Sequence, residues 1–215
     1  MKILSHRGAW KTQAEHNSRS ALKRALGAGW GIECDIRDCI GAIVVSHDPP
    51  AVAEHGCLAL DELLKLAAAT SGRAPLALNV KSDGLVGALA ALRVHFPALD
   101  AFFFDMSVPE QRRYLAAGLP VFTRHSDLEA TPVLYAQAAG VWLDELERPW
   151  VSAAVVEAHL AAGKRVCLVS PELHGREYLA AWDQYRRVER LQVASSPELL
   201  LCTDLPDHAA EFFAP

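Results

Sequence analysis

Residues 101–124 read AFFFDMSVPEQRRYLAAGLPVFTR. An apolar run from Ala101 to Phe104 turns polar at Asp105. Ser107-Val108-Pro109 then opens a segment of helical spacing that stops at Gly118, the residue type that commonly ends a helix. A second apolar run, Leu119 to Phe122, turns polar at Arg124. Strand, helix and strand in so short a span make one β–α–β unit.

The pattern recurs along the whole chain. Strand-like runs read KILSHRG, GIECDIR, PLALNVK, AFFFDMS, LPVFTRH, GVWLDEL, KRVCLVS and ELLLCTD. Between and after them lie SRSALKRALGAG, LALDELLKLAAAT, DGLVGALAALRVHF, VPEQRRYLAAG, PVLYAQAAG, SAAVVEAHLAAG, REYLAAWDQYRRVERL and PDHAAEFF, each predicted to be helical. Gly29, Gly118, Gly140 and Gly163 are the predicted helix stops. The strand runs are nearly continuous in apolar residues, as in a sheet covered on both faces. Eight such units predict an α/β protein with a (β/α)8 TIM barrel, a single domain over residues 1–215 and compact for that fold. A doubly wound open sheet is the competitor, but it would need fewer strands and a switch point.

Composition narrows the function classes. With 215 residues, 51% hydrophobic and 22% charged, the chain can bury a substantial core. Acidic residues outnumber basic ones 26 to 21, so the overall field does not favour nucleic acid or anionic lipid. The N-terminal apolar run is too short for a signal peptide, and no run reaches the ~18 residues of a membrane span. The five cysteines show no CxxC spacing and read as free thiols, three of them inside strand runs. A cytoplasmic protein without membrane insertion is expected.

The strand ends carry the chemistry. The runs end in turn at His6-Arg7, Glu33 and Asp35, Asn79 and Lys81, Asp105, Arg124, Asp144, Ser170 with Glu172 nearby, and Asp204. In a barrel such positions converge on one mouth, where catalytic groups sit. Singly, each could be a solvated loop residue or a helix cap, and for Asp204, ahead of Leu205-Pro206, a cap is the expectation. Glu33 and Asp35, two apart on a strand, share a face and can grip one hard cation, Mg2+ or Ca2+. Arg7 and Lys81 offer fixed positive charge to phosphate oxygens. His6 and His47 can exchange protons near neutral pH. Together these describe in-line attack on a phosphodiester.

At these residues the chain resembles the glycerophosphodiester phosphodiesterase family of phosphatidylinositol-phospholipase-C-like barrels. The shared elements are HRG, HNSRSAL, GxGIECDIRD, VVSHD, a later VK and LCTDLP, spanning about the whole chain. The resemblance implies a phosphoric diester hydrolase that needs one divalent cation and acts on a small-molecule phosphodiester. His6 and His47 match the catalytic pair, Arg7 and Lys81 the phosphate binders, Glu33 and Asp35 two metal ligands. Asp48 matches the residue after the second histidine.

Three departures qualify it. The family usually has Glu where Asn79 stands, so the third ligand offers only a neutral oxygen, and Asp105 is a candidate to add a carboxylate or else to cap the next helix. His16 stands where Glu is expected in the Glu-Asn pair, here Glu15-His16-Asn17. The usual insertion after the HD motif is lacking: only about a dozen residues, PPAVAEHGCLA, precede the next helix, predicting a more open pocket.

Later segments supply further candidates for substrate contact: Arg124, His125 and Asp127 in FTRHSDLE, and Glu172, His174 and Arg176 in VSPELHGREY. Trp142 reads as core packing or as a stacking platform. These polar loops suit a polar, glycerophosphodiester-like or glycosyl ester rather than a lipid. An HxH metal pair, an all-helical HD domain and a GxSxG elbow are each missing or misplaced, and GAGWG at Gly27–Gly31 follows a helix, so it is a turn. A barrel that binds a phosphorylated ligand without cleaving it is the non-enzyme alternative, prompted by Asn79.

Overall fold

The computed structural model describes residues 1–50, 56–70, 74–192 and 197–214. The chain forms two compact units, residues 4–121 and residues 122–215 together with 1–3.

In the first unit, β1 (Lys2–His6, from Leu4 onward) is followed by α1 (Arg19–Gly27), β2 (Gly31–Cys39), β3 (Ala42–Val45), β4 (Leu58–Ala59), α2 (Leu60–Ala69), β5 (Leu76–Val80), α3 (Val86–His95), β6 (Ala101–Phe104) and α4 (Val108–Ala116). A short 3-10 turn, Gln13–Glu15, precedes α1. β1, β2, β5 and β6 are parallel neighbours in that order. β5 is buried at every residue, as expected of a strand covered on both faces. Local signals set the helix limits: Ser18 Oγ accepts a hydrogen bond from the Ala21 amide at the start of α1, and Pro109 lies in the first turn of α4. The apolar faces of α1, α2 and α4 meet the sheet in one core, where Leu22, Ile32 and Leu63 are fully buried. Each such side chain contributes roughly 1.5–3 kcal/mol.

β2 is the strand that organises the site. Its residues 32–36 pair with β5 along one edge, and residues 31–33 pair with β1 along the other. Beyond the end of β1, residues 36–39 pair with the antiparallel β3. Alternation of backbone groups along a strand shows that β1 and β3 share an edge: the Glu33 carbonyl accepts from Arg7 N, and the Asp35 carbonyl, two residues on, accepts from Ser46 N. β1 and β3 therefore run toward each other and stop head to head. The sequence reading placed a β run before His47 but did not anticipate this hairpin, nor its Ile40-Gly41 turn with both residues at positive φ.

In the second unit, β7 (Phe122–His125), β8 (Gly140–Leu143), β9 (Arg165–Val169) and β10 (Leu199–Thr203) are successive parallel neighbours. They alternate with α5 (Ala153–Ala161), α6 (Leu179–Arg190) and α7 (Pro206–Phe212), and a 3-10 turn, Pro171–His174, follows β9. Trp182 of α6 is fully buried and donates its indole N–H to Ser170 Oγ at 2.7 Å. Trp142 is buried at 5% exposure, so it packs the core.

Three expectations need correction. PVLYAQAAG is no helix: residues 133–137 form turns, with Leu134 at φ +53°. Its carbonyls are taken by other groups, Val133 O by Thr123 Oγ1 at 2.7 Å and Ala136 O and Ala138 O by Lys164 Nζ. So short a segment cannot outcompete them on propensity alone. Gly29, Gly118 and Gly163 do end helices at positive φ, but Gly140 opens β8, where a Cβ would come within 2.5 Å of the Phe122 ring and 2.7 Å of Arg165 O. Asp204 is not the cap of α7: Pro206 sits in the first turn, and Leu205 is the cap residue.

None of the five cysteines forms a disulfide, and Cys34, Cys167 and Cys202 are buried. No helix among the described residues is long and apolar enough to cross a membrane.

Candidate functional site

In the first unit the site is built on β2. Glu33 and Asp35 are 2% and 1% exposed, side by side on one face. Around them stand the cations expected from the sequence. His6, register partner of Glu33, brings Nε2 to 3.9 Å from Glu33 Oε2. Arg7 Nε lies 3.1 Å from Asp35 Oδ2, and the Arg7 amide donates to Glu33 Oε2 at 3.3 Å. Lys81, just past β5, places Nζ 3.3 Å from Asp35 Oδ1. Burial pushes the Glu33 carboxyl up to about 7, opposed by the His6 charge and reinforced by Asp35.

His47 follows β3. Because Ser46 is bonded to Asp35 and His6 is aligned with Glu33, the chain segments carrying the two histidines meet β2 only about 7 Å apart along the strand. The His47 carbonyl accepts from Arg37 Nη1 at 2.8 Å, and its Nδ1 lies 2.9 Å from Asp48 Oδ1. That pairing fixes the ring orientation and leaves Nε2 as the face for a ligand.

The backbone is strained where the side chains converge. Arg7 and Asn17 adopt φ +55° and +58°, and Asp105 +65°. Such left-handed conformations cost about 1–3 kcal/mol each and cluster at functional sites. The Arg7–Asn17 pair is held by an Asn17 N to Arg7 O hydrogen bond of 2.9 Å. Gly8, at φ +87°, is packed against α1 so closely that a Cβ would lie 2.7 Å from the Ala21 carbonyl carbon. The HRG element is thus a tight turn that throws Arg7 toward the acids.

Asn17 is a site residue whose contribution the sequence reading did not assign. Its Nδ2 donates to Asp35 Oδ2 at 2.8 Å, and its Oδ1 accepts from the Asp35 amide at 3.3 Å. Only its place behind HRG could have signalled this. Trp10 is another: its indole N–H donates to His6 O at 3.1 Å, and its ring meets His16 edge-on at 4.6 Å. Glu15 is instead engaged by Arg24 and the Lys11 amide.

Whether a cation fits can be tested on the oxygens. Asp35 Oδ1 and Asn79 Oδ1 are both buried and accept no hydrogen bond, and the two residues are register partners on adjacent strands. Asp35 Oδ1 has only the Lys81 ammonium beside it, and buried oxygens without hydrogen bonds suit an oxygen-preferring cation. Among the described residues no group of three or more His, Cys, Asp or Glu side chains is arranged to hold a metal. The donors expected from the sequence, Glu33, Asp35 and Asn79, are two acids and one amide on the adjacent strands β2 and β5. Asp105 follows β6 next to Phe104, the register partner of Asn79.

In the second unit, polar residues bond to one another. Asp144 is 4% exposed, accepts from the Glu145 amide at 2.8 Å and lies 2.8 Å from His174 Nε2. Arg124 stands between Glu129, at 3.3 Å, and Asp144, at 3.8 Å. Arg176 pairs with Glu145. Asp127 accepts the amides of Leu146, Glu147 and Arg148, which ties a loop. Glu172, expected to contact substrate, is engaged within the fold. One carboxylate oxygen accepts from Ser170 Oγ, and the other from Thr203 Oγ1 and the Asp204 amide. It joins the turn after β9 to the end of β10, where a buried hydroxyl pair finds its acceptor.

Comparison with known proteins follows these contacts. No protein-family model matches the chain, and no curated protein matches it. Solved structures do. A candidate glycerophosphodiester phosphodiesterase from Galdieria sulphuraria is 15% identical with a TM-score of 0.76, over 100% of this chain and 98% of that one. A glycerophosphodiester phosphodiesterase from Agrobacterium tumefaciens str. C58 is 21% identical, TM-score 0.68, over 100% of both chains. A glycerophosphoryl diester phosphodiesterase from Parabacteroides distasonis is 14% identical, TM-score 0.64, over 98% of this chain and 85% of that one. Likeness at this identity shows the fold: the α/β architecture is the (β/α)8 fold expected from the sequence.

Proposed function

We propose that the chain is a metal-dependent phosphodiesterase that cleaves a polar phosphodiester with His6 and His47 as its proton-transfer pair. The observation that carries this reading is the head-to-head ending of β1 and β3 on one edge of β2, which brings the chain segments bearing His6 and His47 to the strand that carries the two buried acids. The three likenesses to structures named as diester phosphodiesterases support it.

The roles follow from the contacts. Arg7 and Lys81 bind the non-bridging oxygens and orient phosphorus. One imidazole takes a proton from the entering oxygen, and the other delivers one to the leaving oxygen. Asp48 holds His47 at Nδ1, so that Nε2 carries or receives the proton. Asn17 fixes Asp35 in place. Glu33, Asp35 and Asn79 would hold an Mg2+ or Ca2+ ion, which when bound supplies Lewis-acid stabilisation of charge on phosphorus-bound oxygens. Arg7 and Lys81 both flank Asp35, so a divalent ion at the acids would add to the positive charge offered to an anionic diester.

The test is hydrolysis of bis(p-nitrophenyl) phosphate with Mg2+ or Ca2+, with and without chelator. His6→Ala and His47→Ala are each expected to lower turnover by about 10²–10⁴-fold. Asn79→Glu is expected to tighten metal binding, since a carboxylate replaces an amide oxygen. Turnover unaffected by chelator or by either histidine substitution would overturn the mechanism. Asn79 also prompts a second reading, in which the site binds a phosphorylated ligand without cleaving it; wild type that binds but never turns over a diester would select it.

A further inference from the structure

His47 stands where the β-ladder gives out. In an antiparallel pair, hydrogen-bonded residues exchange two bonds. Ser46 N donates to the Asp35 carbonyl at 3.0 Å, but the Asp35 amide gives the return bond to Asn17 Oδ1, at 3.3 Å. Pro49 and Pro50 follow shortly and carry no backbone N–H. The sheet therefore stops holding the chain one residue before the imidazole. Resting on the hydrolytic reading, we propose that Arg37 is a positioning residue that anchors His47 to β2 for proton transfer.

Arg37 follows Glu33 and Asp35 at two-residue steps, so alternation puts the three on one face of β2. Its register partner is Val44 of β3, across the hairpin closed by Ile40 and Gly41. From there Nη1 donates to the His47 carbonyl at 2.8 Å, the length of a well-formed N–H···O bond. Among the described residues this is the bond the guanidinium makes, and no carboxylate competes for it. Because the donor is charged, the bond is of the stronger kind.

The rest of the loop is tied to itself. Ser46 Oγ donates to Asp48 O at 2.7 Å, and His47 Nδ1 lies 2.9 Å from Asp48 Oδ1. These bonds fix the ring relative to the loop, but not the loop relative to the acids. The side chains of His47 and Asp48 are 47% and 89% exposed, so packing does little to hold them. Arg37 ties the loop to the strand that carries Glu33 and Asp35. Proton transfer needs heavy atoms within about 2.6–3.2 Å, and a displacement of about 1 Å can cost about 100-fold. The guanidinium thus acts through the His47 backbone; direct contact with a phosphate is the competing use of its charge.

The test is a double-mutant cycle on bis(p-nitrophenyl) phosphate with Mg2+, joined to NMR of the imidazoles. Arg37→Met keeps the apolar stem and removes every donor. It is expected to lower kcat roughly 10–100-fold, with KM within about twofold of wild type. In the His47→Ala background the same substitution is expected to cost nothing further. A loss that persists in full in that background, or a raised KM at unchanged kcat, assigns Arg37 to the phosphate or to the fold and overturns the proposal. The NMR arm needs no turnover. The His47 ring signals, identified by their loss in His47→Ala, are expected to shift in Arg37→Met. Ring signals that stay in place overturn the anchor whatever the kinetics. Wild type that hydrolyses no diester, or His47→Ala with wild-type turnover, overturns the hydrolytic mechanism and the catalytic part of this proposal, while shifted ring signals would still establish the anchor.

Discussion

Removing the Glu172 carboxylate separates a fold-holding role from a substrate-binding one. Glu172→Ala takes the acceptor from two hydroxyls, those of Ser170 and Thr203, both at 0% exposure, and from the Asp204 amide. Ser170 Oγ still accepts from Trp182 and Thr203 Oγ1 from the Leu205 amide, so in each case the O–H donor is what loses its partner. A buried donor left unsatisfied costs about 1–3 kcal/mol, and hydrogen bonds to a charged group about 1.5–3 kcal/mol. Allowing for rearrangement among neighbours, the total is roughly 3–5 kcal/mol. Glu172→Gln keeps one acceptor oxygen and should lose about half of that. Urea unfolding of both variants, followed by far-ultraviolet circular dichroism, reads the change directly. Folded Glu172→Gln is expected to keep the wild-type KM for bis(p-nitrophenyl) phosphate. A Glu172→Ala protein within about 1 kcal/mol of wild type, or a Gln variant with normal stability and a raised KM, would refute the clasp and return Glu172 to the substrate.

Two further outcomes follow from the structure. Gly8→Ala combines a positive φ with a Cβ 2.7 Å from backbone, so it should destabilise by at least ~2 kcal/mol and displace Arg7; wild-type stability in urea would contradict the turn. His159, hydrogen-bonded to Tyr135 and His125, has its pKa lowered to about 4, chiefly by burial and then by the His125 charge. A lowered imidazole means that the unfolded chain binds more protons between pH 4 and 6.5. This stability is present above 6.5 and is lost as pH falls toward 4, by at most ~3 kcal/mol. The raised Glu33 carboxyl pulls the other way over an overlapping window, so the measurement is the difference between wild type and His159→Phe in urea at pH 7 and pH 4.5. A difference that does not change with pH would rule the assignment out.

The eight parallel strands and seven of the eight expected helices could be read before any coordinates were known. They depend on local regularities: apolar runs, helical spacing, Ser18 as a cap, Gly29, Gly118 and Gly163 as stops. Where those regularities failed, a partner distant in sequence had intervened. Lys164 captured the carbonyls of 136 and 138 and left no helix there, and Phe122 and Arg165 pressed on Gly140. The expectation that the segment after His47-Asp48 is short and leaves the pocket open falls partly on residues 51–55, outside the described residues.

Chemical type was therefore set by the linear order of residues: imidazoles, guanidinium, ammonium and paired acids at strand ends, each a property of one side chain and its immediate neighbours. What each of them faces was settled only by tertiary packing. Asn17 against Asp35, Glu172 under Ser170 and Thr203, and Arg19 across from Glu62 are separated in sequence by 18, 2 and 31, and 43 positions. The physical reason is that polar groups in a fold must find partners wherever the backbone delivers them, and that delivery depends on strand register and on which edge of β2 a hairpin occupies, neither of which a local pattern encodes.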